Sequence, residues 1–564
     1  MKPIVKKLVL GAATLFATYT FGQADSLDDL ARDFWNWRTI EQPLSSDDIP
    51  RLERPAAWLP DWSPAAVANY RRQMQEFESR WKKLDTSGSP VPRQVDYRLL
   101  GSAIARVHWE LDRVRSWQRN PLFYVDQSLG AYFHLLLPPP PFDSSRTRHI
   151  VETLASIPRT MANAKMNLHP PVRPFASLAL VELKDVRPRL LNSVHELKPL
   201  LDASAARDLD SAAETAIRAL ESYRDWLTQR LAGMPTETAV GRDAYIFFLK
   251  NVALTPYTPE QLLELGRGEW TRSVAFQSYE EHRNIGQPQL TLFKDQAEQI
   301  ASEEKEESAI RSYLEVKDIL TVPGWVQHYR FMALPKYLEP LSDIAESDDF
   351  TGPSRLNQNG IRYIGAPSAD LSYFAQADAK DPRTGIVHEG VPGHYFQLSL
   401  SWANPDPIRR HYYDSGANEG IGFYAEVMML EAGLFDDSPR TREIIYNFMR
   451  LRALRVEVDI KLALGEFTID QGAEYLHSMV PMDASTAHAE AAFFAAIPGQ
   501  AISYQIGKLQ ILKLLADLRR QQQAKFSLRH FHDFLWLNGN VPICLQRWQL
   551  LDRKDDVDAL ERLH

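Results

Sequence analysis

The sequence predicts an all-α, mainly helical protein with at most a small β element, built as one large unit or two closely packed lobes. Segment after segment repeats apolar residues at spacings of three and four, while alternating strand patterns are scarce. A length of 564 residues is too much for one small core. The expected organisation is a leader at 1–24, an N-terminal helical lobe at 25–250 and a C-terminal helical lobe at 251–564 that carries the chemistry.

In the leader, Lys2, Lys6 and Lys7 precede the apolar run LVLGAATLFATYTF, which gives way to GQADS. This is the pattern of a secretory signal peptide cleaved near Ala24. The alternative, a retained membrane anchor, meets a run shorter than the roughly 20 apolar residues a span needs. Periplasmic or secreted location follows, with no stable membrane insertion once the leader is removed. The single cysteine, Cys544, cannot form an internal disulfide, so the mature chain must be stable by burial alone. No cysteine near the cleavage point offers a lipid attachment site. Helices are expected over residues 64–85, 96–117, 208–231 and 258–282, with Ser63-Pro64 and Thr258-Pro259 suited to helix starts. Proline-rich connectors such as HLLLPPPPFDSS separate them, and the best strand candidates are 319–325 and 362–368. A formal charge of −9, with no basic run, excludes nucleic acid as an expected partner.

The chemistry gathers after residue 380. In IVHEGVPGHYFQ, His388 and His394 stand six apart, not the four that place two imidazoles on one face of a helix. Six residues of straight helix turn about 600°, leaving the rings about 120° apart. Pro392 and Gly393 supply the place for an expanded turn that absorbs the excess. The pair alone reads more readily as ordinary core or surface imidazoles than as ligands. Downstream, SGANEGIGFYAEVMMLEAGLF is an apolar helix carrying Glu419 and Glu426, and buried carboxylates need a partner or a metal. Glu419 is therefore the candidate third ligand of one zinc ion, and Glu389 is left free to act on water. Glu426 is either a hydrogen-bond partner of a ligating histidine or an ordinary surface glutamate. Asn418 is placed to cap the helix. In AAIPGQAISYQIGKLQIL, Gln500, Tyr504 and Lys508 form a polar stripe, read either as site groups or as a solvent-facing edge.

HEGVPGHYFQ, NEGIGFYAEVMMLEAGLF, PGQAISYQIGKLQIL and FHDFLWLNGNVPI, in that order, resemble the bacterial domain-of-unknown-function family 885, from FWNWR at 34–38 to the end. That family is similar in its motifs to gluzincin metallopeptidases, especially helical oligopeptidases and carboxypeptidases with a deep channel. The resemblance implies two lobes around a deep cleft, zinc bound by His388, His394 and Glu419, Glu389 as general base, and Tyr504 as oxyanion donor. It departs from the usual pattern at Ile421, at Tyr395, and near Asp459-Ile460-Lys461, where some relatives carry a histidine. The expected function is hydrolysis of short peptides by an exported zinc peptidase. Alternatives are a noncatalytic helical binding protein and a zinc hydrolase of another amide or ester. Arg383 and Lys508 are the cations near enough in sequence to hold a peptide carboxylate, with Arg383 read as a surface cation. No G-x-S-x-G elbow supports a serine route. Oligomeric state has no signal in the sequence.

Overall fold

Helices begin where the sequence sets a capping side chain ahead of proline. The computed structural model describes residues 26–44 and 52–564, so the leader at 1–24 lies outside the described residues. Ser63 accepts a hydrogen bond from the Ala66 N–H to open Pro64–Trp81. Thr258 and Gln261 form a reciprocal capping box at the head of Pro259–Arg283. The helix expected over 208–231 spans Ala203–Arg230. The one expected over 96–117 begins earlier, at Val91, and passes after His108 into a π-helical turn, Trp109–Val114. Arg115 adopts a left-handed φ of 54°, which a right-handed helix cannot continue.

Helices dominate the described chain, and the only sheet among the described residues has three short strands. These are β1 (Tyr329–Ala333), β2 (Asp348–Asp349) and β3 (Gly360–Ile364), in the order β1-β3-β2. β1 runs parallel to β3 with Tyr329 opposite Gly360, and β2 runs antiparallel with Asp348 opposite Arg362. The strand candidate at 362–368 is partly realised in β3. The candidate at 319–325 is not a strand. Its donors are taken by side chains instead: Asp533 accepts from the Thr321 N–H, and Glu315 accepts from the Val322 N–H. Pro323 has no N–H to give.

One hydrophobic core is drawn mainly from residues 27–254, with contributions from Tyr337, Ile361 and Trp548. A second, from Ile310 to Leu551, surrounds the histidine motif. Within it, the helices Ser415–Glu431 and Gln500–Gln522 cross at glycine. A Cβ on Gly507 would stand 2.1 Å from the Gly416 carbonyl oxygen, and one on Gly420 would stand 2.7 Å from the Gly507 Cα. This approach brings Gln500 within reach of Glu419. Asp459, buried in Pro439–Leu464, accepts hydrogen bonds from the N–H groups of Gly499 and Ile502. It thereby fixes the start of the Gln500–Gln522 helix. Among the described residues no helix is long and apolar enough to cross a membrane.

Candidate metal centre

The six-residue spacing is resolved by a break in the helix. A π-helical turn, Ile386–Gly390, presents His388 and Glu389. The chain then leaves the helix at Val391 (φ −129°, ψ 123°), and a new helix, His394–Trp402, starts at the second histidine. Continuing a single helix through an expanded turn at Pro392-Gly393, as the sequence suggested, is therefore corrected to stopping and restarting. The return is tight enough that a Cβ on Gly393 would sit 1.7 Å from the His388 carbonyl oxygen. Trp536 Nε1 donates to the Pro392 carbonyl at 2.7 Å and holds the loop.

The break brings the rings of His388 and His394 to 4.8 Å between centroids, at 82°. Glu419 Oε2 lies 3.2 Å from His394 Nε2 and 3.6 Å from His388 Nε2. All three side chains are buried, and their donor atoms lie within 4.8 Å of one another. Ligands bound at about 2.0–2.1 Å to a tetrahedral ion stand about 3.3 Å apart, so two of the three separations match a zinc site. Glu419 Oε2 is buried with no hydrogen-bond partner, a state that carboxylate oxygens avoid unless a cation is shared. Glu419 Oε1 accepts from Gln500 Nε2 at 3.3 Å. The donor set thus fits one zinc ion, which His388, His394 and Glu419 would hold.

The surroundings orient each donor. Glu426 Oε1 lies 2.7 Å from His388 Nδ1 and accepts from Arg452 at 2.7 Å. Burial opposes the imidazolium of His388, but the neighbouring carboxylates of Glu419 and Glu426 outweigh it and raise its pKa to about 9. Burial likewise opposes the Glu419 carboxylate, and the two histidines overcome it, holding its carboxyl well below the usual range.

Glu389 adjoins this group on the side of Arg362. Its side chain keeps 28% exposure, and Arg362 lies 3.8 Å away. Burial is again outweighed, here by His388, His394 and Arg362, so Glu389 is held ionised. Tyr504 stacks on His388 at 6.2 Å and 13°, with the Arg455 guanidinium 4.6 Å over its ring. Burial, then the charge of Glu419, pushes its phenol well above the usual range, leaving the O–H intact as a donor.

Other predicted residues fall outside this group. Lys508 is buried against Glu269 at 2.5 Å and packs over Phe423, so the stripe delivers Gln500 and Tyr504 to the site and its third member elsewhere. Arg383, read as a surface cation, is largely buried and pairs with Asp381 and Asp437 at 2.8 and 2.9 Å. Asn418 does not cap its helix: Asp414 accepts from the Ala417 N–H there, and Asn418 donates to Gln397 Oε1 inside the core. The sequence reading missed Arg452 and Arg455, although two arginines three apart in an apolar helix demand buried partners. It also missed Arg362, Asp348 and Asp378, which only the strand register and the Tyr373–Asp378 helix bring beside Glu389.

A family model described as "Bacterial protein of unknown function (DUF885)" matches residues 51–549. No curated protein gives a significant match. Two solved structures share the fold. One is provisionally described as a lipoprotein of unknown function from Shewanella oneidensis; it is 16% identical, with a TM-score of 0.70 over 94% of this chain and 100% of the other. The second, described in similar terms, is from Colwellia psychrerythraea; it is 17% identical, with a TM-score of 0.72 over 95% of this chain and 100% of the other.

Proposed function

We propose, from the premise that this chain belongs to the bacterial DUF885 family, that it is an exported zinc-dependent peptidase acting on short peptides. The observation that carries the reading is the buried His388–His394–Glu419 donor set with a partly exposed, ionised Glu389 beside it. A structural metal site has no use for that adjacent base. Zinc, if held by His388, His394 and Glu419, would supply a Lewis acid for the scissile carbonyl and would lower the pKa of a water toward roughly 7. The Glu389 carboxylate accepts the proton of the attacking water and returns it to the departing amine. The Tyr504 hydroxyl donates to the oxyanion that develops on the carbonyl carbon's oxygen. Glu426 and Arg452 keep His388 aimed at the centre, and Gln500 fixes the free rotation of Glu419. The resemblance to gluzincin peptidases rests on this donor set, and export rests on the leader pattern at 1–24 together with relatives described as lipoproteins.

Incubation of the zinc-loaded protein with a mixed peptide library, followed by mass spectrometry of the products, tests the reading. Cleavage abolished by a chelator and restored by zinc is expected. An intact library in the presence of bound zinc would redirect the assignment to another amide or ester, or to a structural metal.

A further inference from the structure

A cavity with about 1040 Å³ of empty volume, part of it open to solvent, reaches Gln500 beside the candidate metal centre. Gln500, the hydrogen-bond partner of Glu419, is in its wall, as is Ser415, one turn before Glu419 on the same helix. Trp109, Trp117, Phe123 and Phe248 supply much of the remaining lining. Aromatic walls beside a reactive centre select large apolar groups.

Among the described residues, the cavity also holds a cation without a counterion. Arg106, half-buried on the Val91–His108 helix, lines the cavity, and no hydrogen bond or ion pair joins it to another described residue. The acids nearby are committed elsewhere. Glu110 in the same wall accepts two hydrogen bonds from Arg38, at 2.8 and 2.6 Å, and Asp126 is engaged within the fold. Asp414, which shares a small adjoining cavity with Arg106, caps the Ser415–Glu431 helix. A guanidinium left free in an apolar-walled cavity is matched to a planar carboxylate, which it binds through two parallel N–H···O bonds.

We propose that Arg106 anchors the C-terminal carboxylate of the substrate and that the aromatic wall receives a bulky apolar residue near that end. The substrate class is then short peptides with a free C-terminus and an aromatic or large aliphatic terminal side chain. This rests on the peptidase reading, but its test is a binding measurement. N-acetyl-Ala-Phe and its C-terminal amide are titrated calorimetrically into the zinc-loaded Glu389→Gln protein, with and without Arg106→Gln. The acid is expected to bind at least about tenfold more tightly than the amide, and Arg106→Gln to erase that difference. Arg106→Lys, which keeps the charge and loses the fork, is expected to retain part of it. Because no described residue hydrogen-bonds or ion-pairs with the Arg106 side chain, its truncation leaves none of them unpaired. Equal binding of acid and amide, failure of both to bind, or equal weakening of both by Arg106→Gln would overturn the proposal. Library cleavage without preference for a free C-terminus would overturn it while leaving the peptidase reading intact. Acid-selective binding by a wild-type protein that cleaves nothing would do the reverse.

Discussion

The turn at Ile386–Gly390 has two sides, and they treat ionisable groups in opposite ways. On the helix side, Glu419 and Glu426 meet two imidazoles, Arg452 and the Gln500 amide, and Glu419 stays ionised against burial. On the sheet side, a single cation, Arg362, serves Asp348, Asp378 and Glu389, at 4.0, 3.4 and 3.8 Å. There burial, only partly offset by Arg362, pushes Asp348 and Asp378 up to about 6. Nearby Glu303 is pushed by burial up to about 8. The helix side is thus short of positive charge at one point, Glu419 Oε2, where a metal would supply it. The sheet-side cluster shares Arg362 among three acids, one of which is the base.

The comparison can be broken from either side. Tyr504→Phe removes the proposed oxyanion donor, and kcat is expected to fall about 10²–10³-fold with KM little changed, measured on any peptide the library identifies. Arg362→Met strips the sheet side of its cation. An uncompensated buried charge costs about 3–5 kcal/mol, so urea unfolding at pH 8 should show a loss of that order. The loss should shrink at pH 5, where Asp348 and Asp378 take up protons, and a loss independent of pH would refute the account of that cluster. Glu426→Gln leaves the triad in place but weakens the hold on His388, and zinc affinity in competition with a chelator should drop about 10–100-fold.

The smallest effect is the pH dependence of the metal-free protein. The folded pKa of His388, raised to about 9, lies above its ordinary value of 6.5. The stability this provides is therefore fully present below pH 6.5 and is lost as pH rises through about 9. Zinc must displace the same proton, so apparent affinity should climb by about tenfold per pH unit up to that point and then level off. A flat profile between pH 7 and 9 would show that His388 is not the proton-bearing donor.

Much of the helix side was legible in the sequence, because its chemistry is concentrated in contiguous motifs. His388, Glu389, His394 and Glu419 are all named by the types and spacing of two short segments, and the need for a distortion at Pro392-Gly393 follows from the helical repeat alone. What spacing could not say is that the helix ends at Gly390 and restarts, since that depends on Trp536 and on the close return over the His388 carbonyl. On the sheet side, a strand over 362–368 was legible, but not that its Arg362 would stand beside Glu389. Arg362 meets Glu389 only through the pairing of strands of two and five residues, and one of the two strand candidates failed because side chains of Asp533 and Glu315 claimed its backbone donors. Arg106 was equally silent, an unremarkable residue of an amphipathic helix until the fold set it in an aromatic wall beside Gln500.

The central claim is that His388, His394 and Glu419 hold one zinc on which Glu389 works. Its most direct test is zinc content together with peptide cleavage, measured on the same preparations of wild-type and Glu389→Gln protein. One zinc per chain in both, with cleavage in the wild type reduced at least about 10²-fold in the variant, is the predicted result. A protein that binds no zinc, or a Glu389→Gln variant that cleaves as fast as the wild type, would contradict it.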